Sequence, residues 1–524
     1  MPSEPNRRHR LACAALALLL VIAGVPARAQ VRLPSLGESA SDELTVPVER
    51  RLGDQIMRDI RRDPDYLDDP VLLDYLQSIW NPLVSAARQR GDITPDIGAA
   101  FAWEAFLVRD RSVNAFALPG GYVGVHLALI ALTGSGDELA SVIAHELSHV
   151  TQRHIARGIT NSQRQGLLAM AGMILGILAA SRSRSPDAAQ AAVIGTQAAS
   201  AQGQLNFSRD MEREADRIGL AVLDEAGFAP AGMALMFEKL DQANRLNDSG
   251  SYPYLRSHPL TTERVAEART RASAAASGAR TRLEHQLMQS RSRALMDPSV
   301  QSRRRLQELD QDGGTGAPGE RLAALYASAT ASMLLRDFAR AERALASGQR
   351  TAAALGADLE PRAARALALL GAELALAQGD AQTAARRLPA PAPDGVSRPL
   401  LLLQAQIAVA GNDVDLLKRQ TEALQAWVTE RRGDVLAWWA LAQCADRLGL
   451  KLRAVRAQAE AHAAQGDLNG AIERMRAGQR IARAGGAQDF IEASVIDSRL
   501  RELEAQRRQL AAELRGNRPA RDPE

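Results

Sequence analysis

Apolar residues recur at helical spacing along most of this 524-residue chain. Leu52, Ile56 and Ile60, followed by Leu72, Leu73, Leu76, Ile79 and Trp80, predict two amphipathic helices interrupted at Asp63, Pro64 and Asp65. The period shortens over residues 113–125, where Gly120 and Gly121 mark a turn between two short runs, and a small β-hairpin is expected there. Leu139, Val142, Ile143, Leu147 and Val150 then give a mostly apolar helix with Asp137 and Glu138 in its first turn. Residues 167–180 are nearly all apolar but number only fourteen, too few to span a bilayer, and predict a buried or interfacial helix through which peripheral membrane contact is open. With the small-residue stretch to Gly203 this segment reads either as a lid beside the preceding helix or as a plain core helix and its loop.

Glycines and a proline between Asp310 and Gly319 mark the clearest linker in the chain. Beyond it short breaks at Arg336, Gly379, Gly411, Gly449 and Gly466 are spaced by roughly 43, 32, 38 and 17 residues, which suggests helix hairpins of about 34 residues with irregular insertions. The segments around Asp337 and Asp467 are similar to the turn of tetratricopeptide repeats, and a featureless helical bundle is the alternative. A stacked array would offer a concave protein-binding surface, with Trp427, Trp438 and Trp439 either lining it or filling its core. The expected architecture is therefore mainly α, with a small β-hairpin or sheet in the first half and a helical repeat array in the second. Its divisions are a signal peptide (1–29), an extended leader (30–47), a first domain (48–310), a linker (311–319), the array (320–515) and a disordered tail (516–524).

The 64 basic and 61 acidic residues nearly cancel to a net charge of +3, so there is no bulk electrostatic case for nucleic acid. Arg7, Arg8 and Arg10 precede an apolar stretch from Leu11 to Gly24 and then Ala27, Arg28 and Ala29, the pattern of a secretory signal cleaved after Ala29. A retained membrane anchor is the rival reading of that stretch. Cleavage would remove Cys13 and leave Cys444 as the one cysteine, which excludes an intrachain disulfide and a cysteine zinc site. Any metal must then be held by histidine and carboxylate.

His145, Glu146 and His149 form an HExxH motif on the helix that starts near Asp137. Four residues apart, roughly 40° round a helix axis, the two histidines can reach one ion. Glu146 lies about 100° from His145, where its carboxylate can take a proton from a water at that ion. A third protein ligand is missing. His154 would lie on the opposite side of the helix unless the helix ended first, and no glycine marks such an end. The stretch from Ser208 to Gly219 is the better source: Glu212 and Asp216 are four apart on one helix face, so Glu212 can ligate while Asp216 accepts the outer N–H of a histidine. Glu214 is the reserve ligand, since spacing alone does not separate it from Glu212.

HExxH at His145–His149 followed by Glu212 and Asp216 in ExxxD resembles the gluzincin peptidases of the HtpX and CAAX-prenyl-protease type, over roughly residues 48–290. The resemblance implies a zinc endopeptidase with one Zn²⁺ per chain held by His145, His149 and Glu212, and with Glu146 and Asp216 in the catalytic machinery. It implies that Asn114 and the hairpin after it form an edge strand on which substrate backbone adds. The soluble periplasmic branch of the family is closer, joining a signal peptide, the protease domain and a repeat array. By that likeness His258 would occupy the fourth metal position at rest, with Arg264 as its companion against substrate. The same likeness implies a periplasmic location, misfolded or stalled outer-membrane proteins as substrates, and outer-membrane assembly machinery bound by the array. A chaperone or scaffold with a latent protease is the alternative function.

Overall fold

The computed structural model describes residues 44–158, 208–246, 252–273, 282–312, 316–391, 397–484 and 490–516. The expected signal peptide, most of the leader, the apolar segment 167–180 with its following stretch, and the end of the tail lie outside these residues. From Leu44 onward the described residues pack as one unit.

Helix α1 (Val46–Ile60) begins one residue before Pro47, earlier than the expected leader boundary. A proline suits that first turn because its N–H would have no partner there and its φ is already helical. Leu52, Ile56, Met57 and Ile60 bury one side of α1 against Phe106, Val108, Leu118 and Tyr122. These last four belong to a sheet of β1 (Tyr66–Leu67), β2 (Glu104–Val108), β3 (Ala115–Leu118) and β4 (Tyr122–His126), ordered β1-β2-β4-β3. The antiparallel pair β3–β4, with Ala115 opposite Val125 and Leu118 opposite Tyr122, is the expected hairpin. Gly120 and Gly121 turn it with φ of 77° and 93°, in the left-handed region that glycine tolerates.

Strand β2, parallel to β4, is not anticipated by the pattern analysis. Ala105 to Val108 are all buried, so the strand shows no alternation. Phe106 and Val108 face α1, while Ala105 and Leu107 face the main core. That core also holds Leu72, Leu76, Ile79 and Leu83 of α2 (Pro70–Arg90), a helix capped by the Asp69 carboxylate, which accepts from Leu72 N–H at 2.8 Å.

Helix α3 (Gly136–Thr151) carries HExxH and is buried from Glu138 through Thr151. Ser135 caps it, accepting from the Glu138 N–H at 3.2 Å. It ends where Arg153 takes φ of 51°, and the chain turns into the short α4 (His154–Gly158). The helix therefore does end before His154, and a left-handed arginine rather than a glycine makes the break. Helix α5 (Arg209–Glu225) lies across α3 at the motif; a Cβ on Gly219 would sit 3.1 Å from the Ala144 carbonyl oxygen, so glycine permits this close approach. Helices α6 (Ala231–Leu246) and α7 (Thr262–Ser273) cover the outside.

The rest of the described chain is helical: α8 (Leu283–Met296), α9 (Val300–Asp312), α10 (Pro318–Leu334), α11 (Phe338–Leu355), α12 (Pro361–Ala377), α13 (Ala381–Arg387), α14 (Arg398–Gly411), α15 (Val414–Glu430), α16 (Val435–Arg447), α17 (Lys451–Ala464), α18 (Leu468–Ala484) and α19 (Phe490–Gly516). From α9 onward each packs on its successor. The breaks read from sequence are physical turns: Arg336, Gly379, Asn412, Gly449 and Gly466 all have positive φ. Asp337, Asp380 and Asp413 then cap the following helices. Both α8 and α9 pack on α10, so packing continues across the glycine-rich break. Trp438 is core, beside Leu441 and Cys444, while Trp427 and Trp439 pack partly buried against the same cluster.

Two arginines tie this helical half to the start of α2. Arg291 of α8 pairs with Asp69 at 2.8 Å and with Glu373 of α12 at 2.9 Å, and is 5% exposed. Arg398 of α14 bridges Asp68 at 2.7 Å and Asp434 at 2.8 Å.

Candidate metal centre and active site

Successive turns of α3 present His145 and His149 on one face, and their Nε2 atoms are 3.0 Å apart. α5 delivers Glu212 to the same point, with Oε2 3.4 Å from His145 Nε2 and Oε1 3.5 Å from His149 Nε2. His258, at the end of the short helix Pro253–Ser257, adds Nδ1 at 3.4 Å from His145 Nε2 and 3.0 Å from Glu212 Oε1. The four donor atoms lie within 4.8 Å of one another and all four residues are buried. Ligands about 2.1 Å from a tetrahedral zinc are separated by roughly 3.4 Å, so these spacings fit one such ion. Two imidazole nitrogens 3.0 Å apart cannot both present bare lone pairs to each other, and either a shared proton or a metal ion relieves the contact. Among the described residues this is the one group of its kind.

Glu146 points into the same space. It is fully buried, its Oε1 is 3.4 Å from His258 Nε2, and neither oxygen meets a well-formed hydrogen-bond donor among the described residues. Burial pushes its carboxyl pKa up, against the opposing pull of His258 and His145. A carboxylate so placed is a proton acceptor held close to the donor cluster.

The carboxylates of α5 divide by role according to helical position. Asp216 Oδ1 lies 2.9 Å from His145 Nδ1, beside the ring nitrogen turned away from the cluster. Arg264, from α7, grips Asp216 through Nε at 2.6 Å and Nη2 at 2.8 Å, and its Nη1 reaches Glu212 at 2.9 Å. Its remaining bond goes to the Pro259 carbonyl oxygen at 2.8 Å. Arg264 is only 4% exposed and is occupied by charges of the site rather than turned outward to a substrate. Glu214 faces elsewhere: it accepts from His154 Nε2 at 3.0 Å and Arg157 Nη1 at 2.9 Å, so Glu212 and not the reserve candidate joins the cluster.

Burial would lower the His145 pKa, yet the Asp216 and Glu212 carboxylates outweigh it and raise the group to about 10 in the metal-free chain. His149 is pushed well below its ordinary value, by burial and then by the neighbouring His145 and His258. The burial penalty on Glu212 is overcome by His258 and His145, which hold it far below the usual carboxylate range. The site thus favours charge at Glu212 and neutrality at His149, states compatible with ligation, while His145 would have to give up a proton to a metal ion.

Tyr254 is absent from the sequence-based candidates, and His154 is weighed there only as a third ligand. Tyr254 is buried and stacks on the His258 ring with centroids 4.6 Å apart. His154 touches His149 from outside. Asn114 is outside the donor cluster, one residue before β3; its carbonyl accepts from His126 N–H at 3.1 Å and its side-chain oxygen is buried with no hydrogen-bond partner among the described residues.

Residues 75–272 match the model of Peptidase family M48. Over 242 residues the chain is 40% identical to the beta-barrel assembly-enhancing protease of Escherichia coli K12, covering 46% of this chain and 47% of that protein. The protein of the same name from Yersinia pestis is 39% identical over 245 residues, 47% and 48% of the two chains. A mitochondrial metalloendopeptidase, OMA1 of Arabidopsis thaliana, is 35% identical over 163 residues, 31% and 30% of the two. The chain spans about half the length of the beta-barrel assembly-enhancing proteases it matches. No helix among the described residues is long and apolar enough to cross a membrane.

Proposed function

We propose that the protein is a zinc-dependent endopeptidase of the periplasm that acts on misfolded or stalled outer-membrane proteins. The observation that carries this reading is the convergence of His145, His149 and Glu212 on one point with the buried Glu146 carboxylate beside it. Zinc held there would polarise a peptide carbonyl and lower the pKa of a water towards ~7. Glu146 accepts the proton of the attacking water and returns it to the leaving amine. Asp216 fixes the ring of His145, and Arg264 holds Asp216 and Glu212 against each other's charge. The periplasmic address rests on the Arg7–Ala29 signal pattern and on the relatives named for β-barrel assembly. The helix hairpins after Pro318 serve as tetratricopeptide-like repeats that dock outer-membrane assembly machinery.

A second reading is supported by one feature. His258 already stands among the three ligands, with its Nε2 against Glu146, where a substrate carbonyl and a water would have to enter. His258 then acts as a resting fourth ligand, and the protein works largely as a chaperone or scaffold until that loop is displaced. Glu146→Gln tests the first reading: zinc content should be unchanged while cleavage of an unfolded protein falls to background. Cleavage at the normal rate would refute it. His258→Ala separates the two readings, because only a latch predicts faster cleavage on its removal.

A further inference from the structure

His154 is fully buried, and its Nδ1 lies 2.8 Å from Nδ1 of His149. One hydrogen, and only one, can occupy that contact. Nε2 of His149 is turned to His145 and Glu212, so Nδ1 is the nitrogen left to carry the proton of a neutral ligand ring. His154 must then present its Nδ1 lone pair and carry its own proton on Nε2. That nitrogen is 3.0 Å from Glu214 Oε2, an acceptor-only group, and Glu214 is in turn held by Arg157 at 2.9 Å. Every donor in the series points outward, from His149 to His154 to Glu214. The reversal at Arg153, with φ of 51°, is what brings His154 back against α3.

We infer that His154 is a positioning residue that fixes the tautomer and orientation of His149, with Glu214 and Arg157 anchoring it from α5 and α4. The inference rests on the metal-site reading above. A ligand imidazole that gives its outer N–H to a fixed acceptor binds metal more strongly, typically by 10- to 100-fold in affinity. Gln at 154 could keep the same polarity, its oxygen accepting from His149 and its amide donating to Glu214. Phe would fill the space and do neither.

The test uses the full-length protein loaded with Zn²⁺. Long-range ¹H–¹⁵N correlation of labelled histidines should find the His149 proton on Nδ1 and the His154 proton on Nε2 alone; a His154 protonated at Nδ1, or at both nitrogens, overturns the inference without any variant. Competition with a chromophoric chelator should show H154F raising the Zn²⁺ Kd by about 10- to 100-fold, with H154Q closer to the parent. If H154F lowers the melting point of metal-free protein and leaves the Kd unchanged, His154 is only a packing residue. If the parent chain binds no Zn²⁺, or binds it undiminished after His145→Ala, the metal-site reading itself fails and the inference falls with it.

Discussion

Arg264→Met removes the one guanidinium that stands between two buried carboxylates. Glu212 and Asp216 are 1% and 9% exposed, and Arg264 gives Asp216 two hydrogen bonds of 2.6 and 2.8 Å and Glu212 an ion pair at 2.9 Å. Methionine retains most of the apolar stem and forfeits the cation packed 5.2 Å from the centre of the Phe237 ring, a loss of about 2 kcal/mol at a desolvated site. The larger effect is the stranded charge: breaking a buried pair by deleting one partner costs about 3–5 kcal/mol. Urea unfolding in the presence of a chelator, followed by tryptophan fluorescence, should therefore show a loss in that range. Arg264→Lys should lose less but still more than a surface change, since an ammonium cannot span both Asp216 oxygens and Glu212. Asp216→Asn combined with Arg264→Met should cost clearly less than the two single losses added together, because the double variant no longer buries an unpaired Asp216 charge. A loss below about 1 kcal/mol for Arg264→Met, or strict additivity in the cycle, would refute the claim that this arginine neutralises the site.

Two further outcomes follow from residues away from the metal. Arg291→Met strands Asp69 and Glu373 where the helical half meets α2, and urea unfolding should register a loss of about 3–5 kcal/mol; an unshifted midpoint would mean the pairing contributes nothing. His285 is 1% exposed, with Nδ1 2.6 Å from the Tyr75 hydroxyl and Nε2 2.8 Å from the Thr133 carbonyl, and burial holds its pKa below 6.5. As pH falls below about 6.5 the unfolded chain takes up the proton first, so the stability present above that pH declines towards the depressed folded value. His285→Gln should flatten the fall of unfolding free energy between about pH 7 and 5; a slope identical to the parent's would exclude His285 as its source.

How far the sequence could be read depended on how local the cause was. The convergence of His145, Glu146 and His149 and the Glu212–Asp216 pair were legible because each relation falls within four residues on one helix, where spacing translates directly into relative position on its faces. The hairpin and the capped breaks of the helical half were legible for the same reason. Strand β2 was not, since four successive residues buried against two cores carry no alternation to detect. Nor was the end of α3, which Arg153 makes in a left-handed conformation with no glycine to announce it. That hidden turn concealed His154, and it explains why Glu214 looked like a rival ligand when its partner lies sixty residues away.

The sequence by itself determined the chemistry available here: histidine and carboxylate donors, with a glutamate beside them in helical register. Only the tertiary structure decided which carboxylate meets the histidines, and it did so through the crossing of α5 on α3 that Gly219 allows. Only it decided that His258 enters the donor cluster, that Arg264 is consumed by Asp216 and Glu212, and that His154 backs His149. These are contacts between segments tens of residues apart. They arise because buried charges and ring N–H groups must find partners wherever packing places them, a constraint that acts through space and leaves no period in the chain.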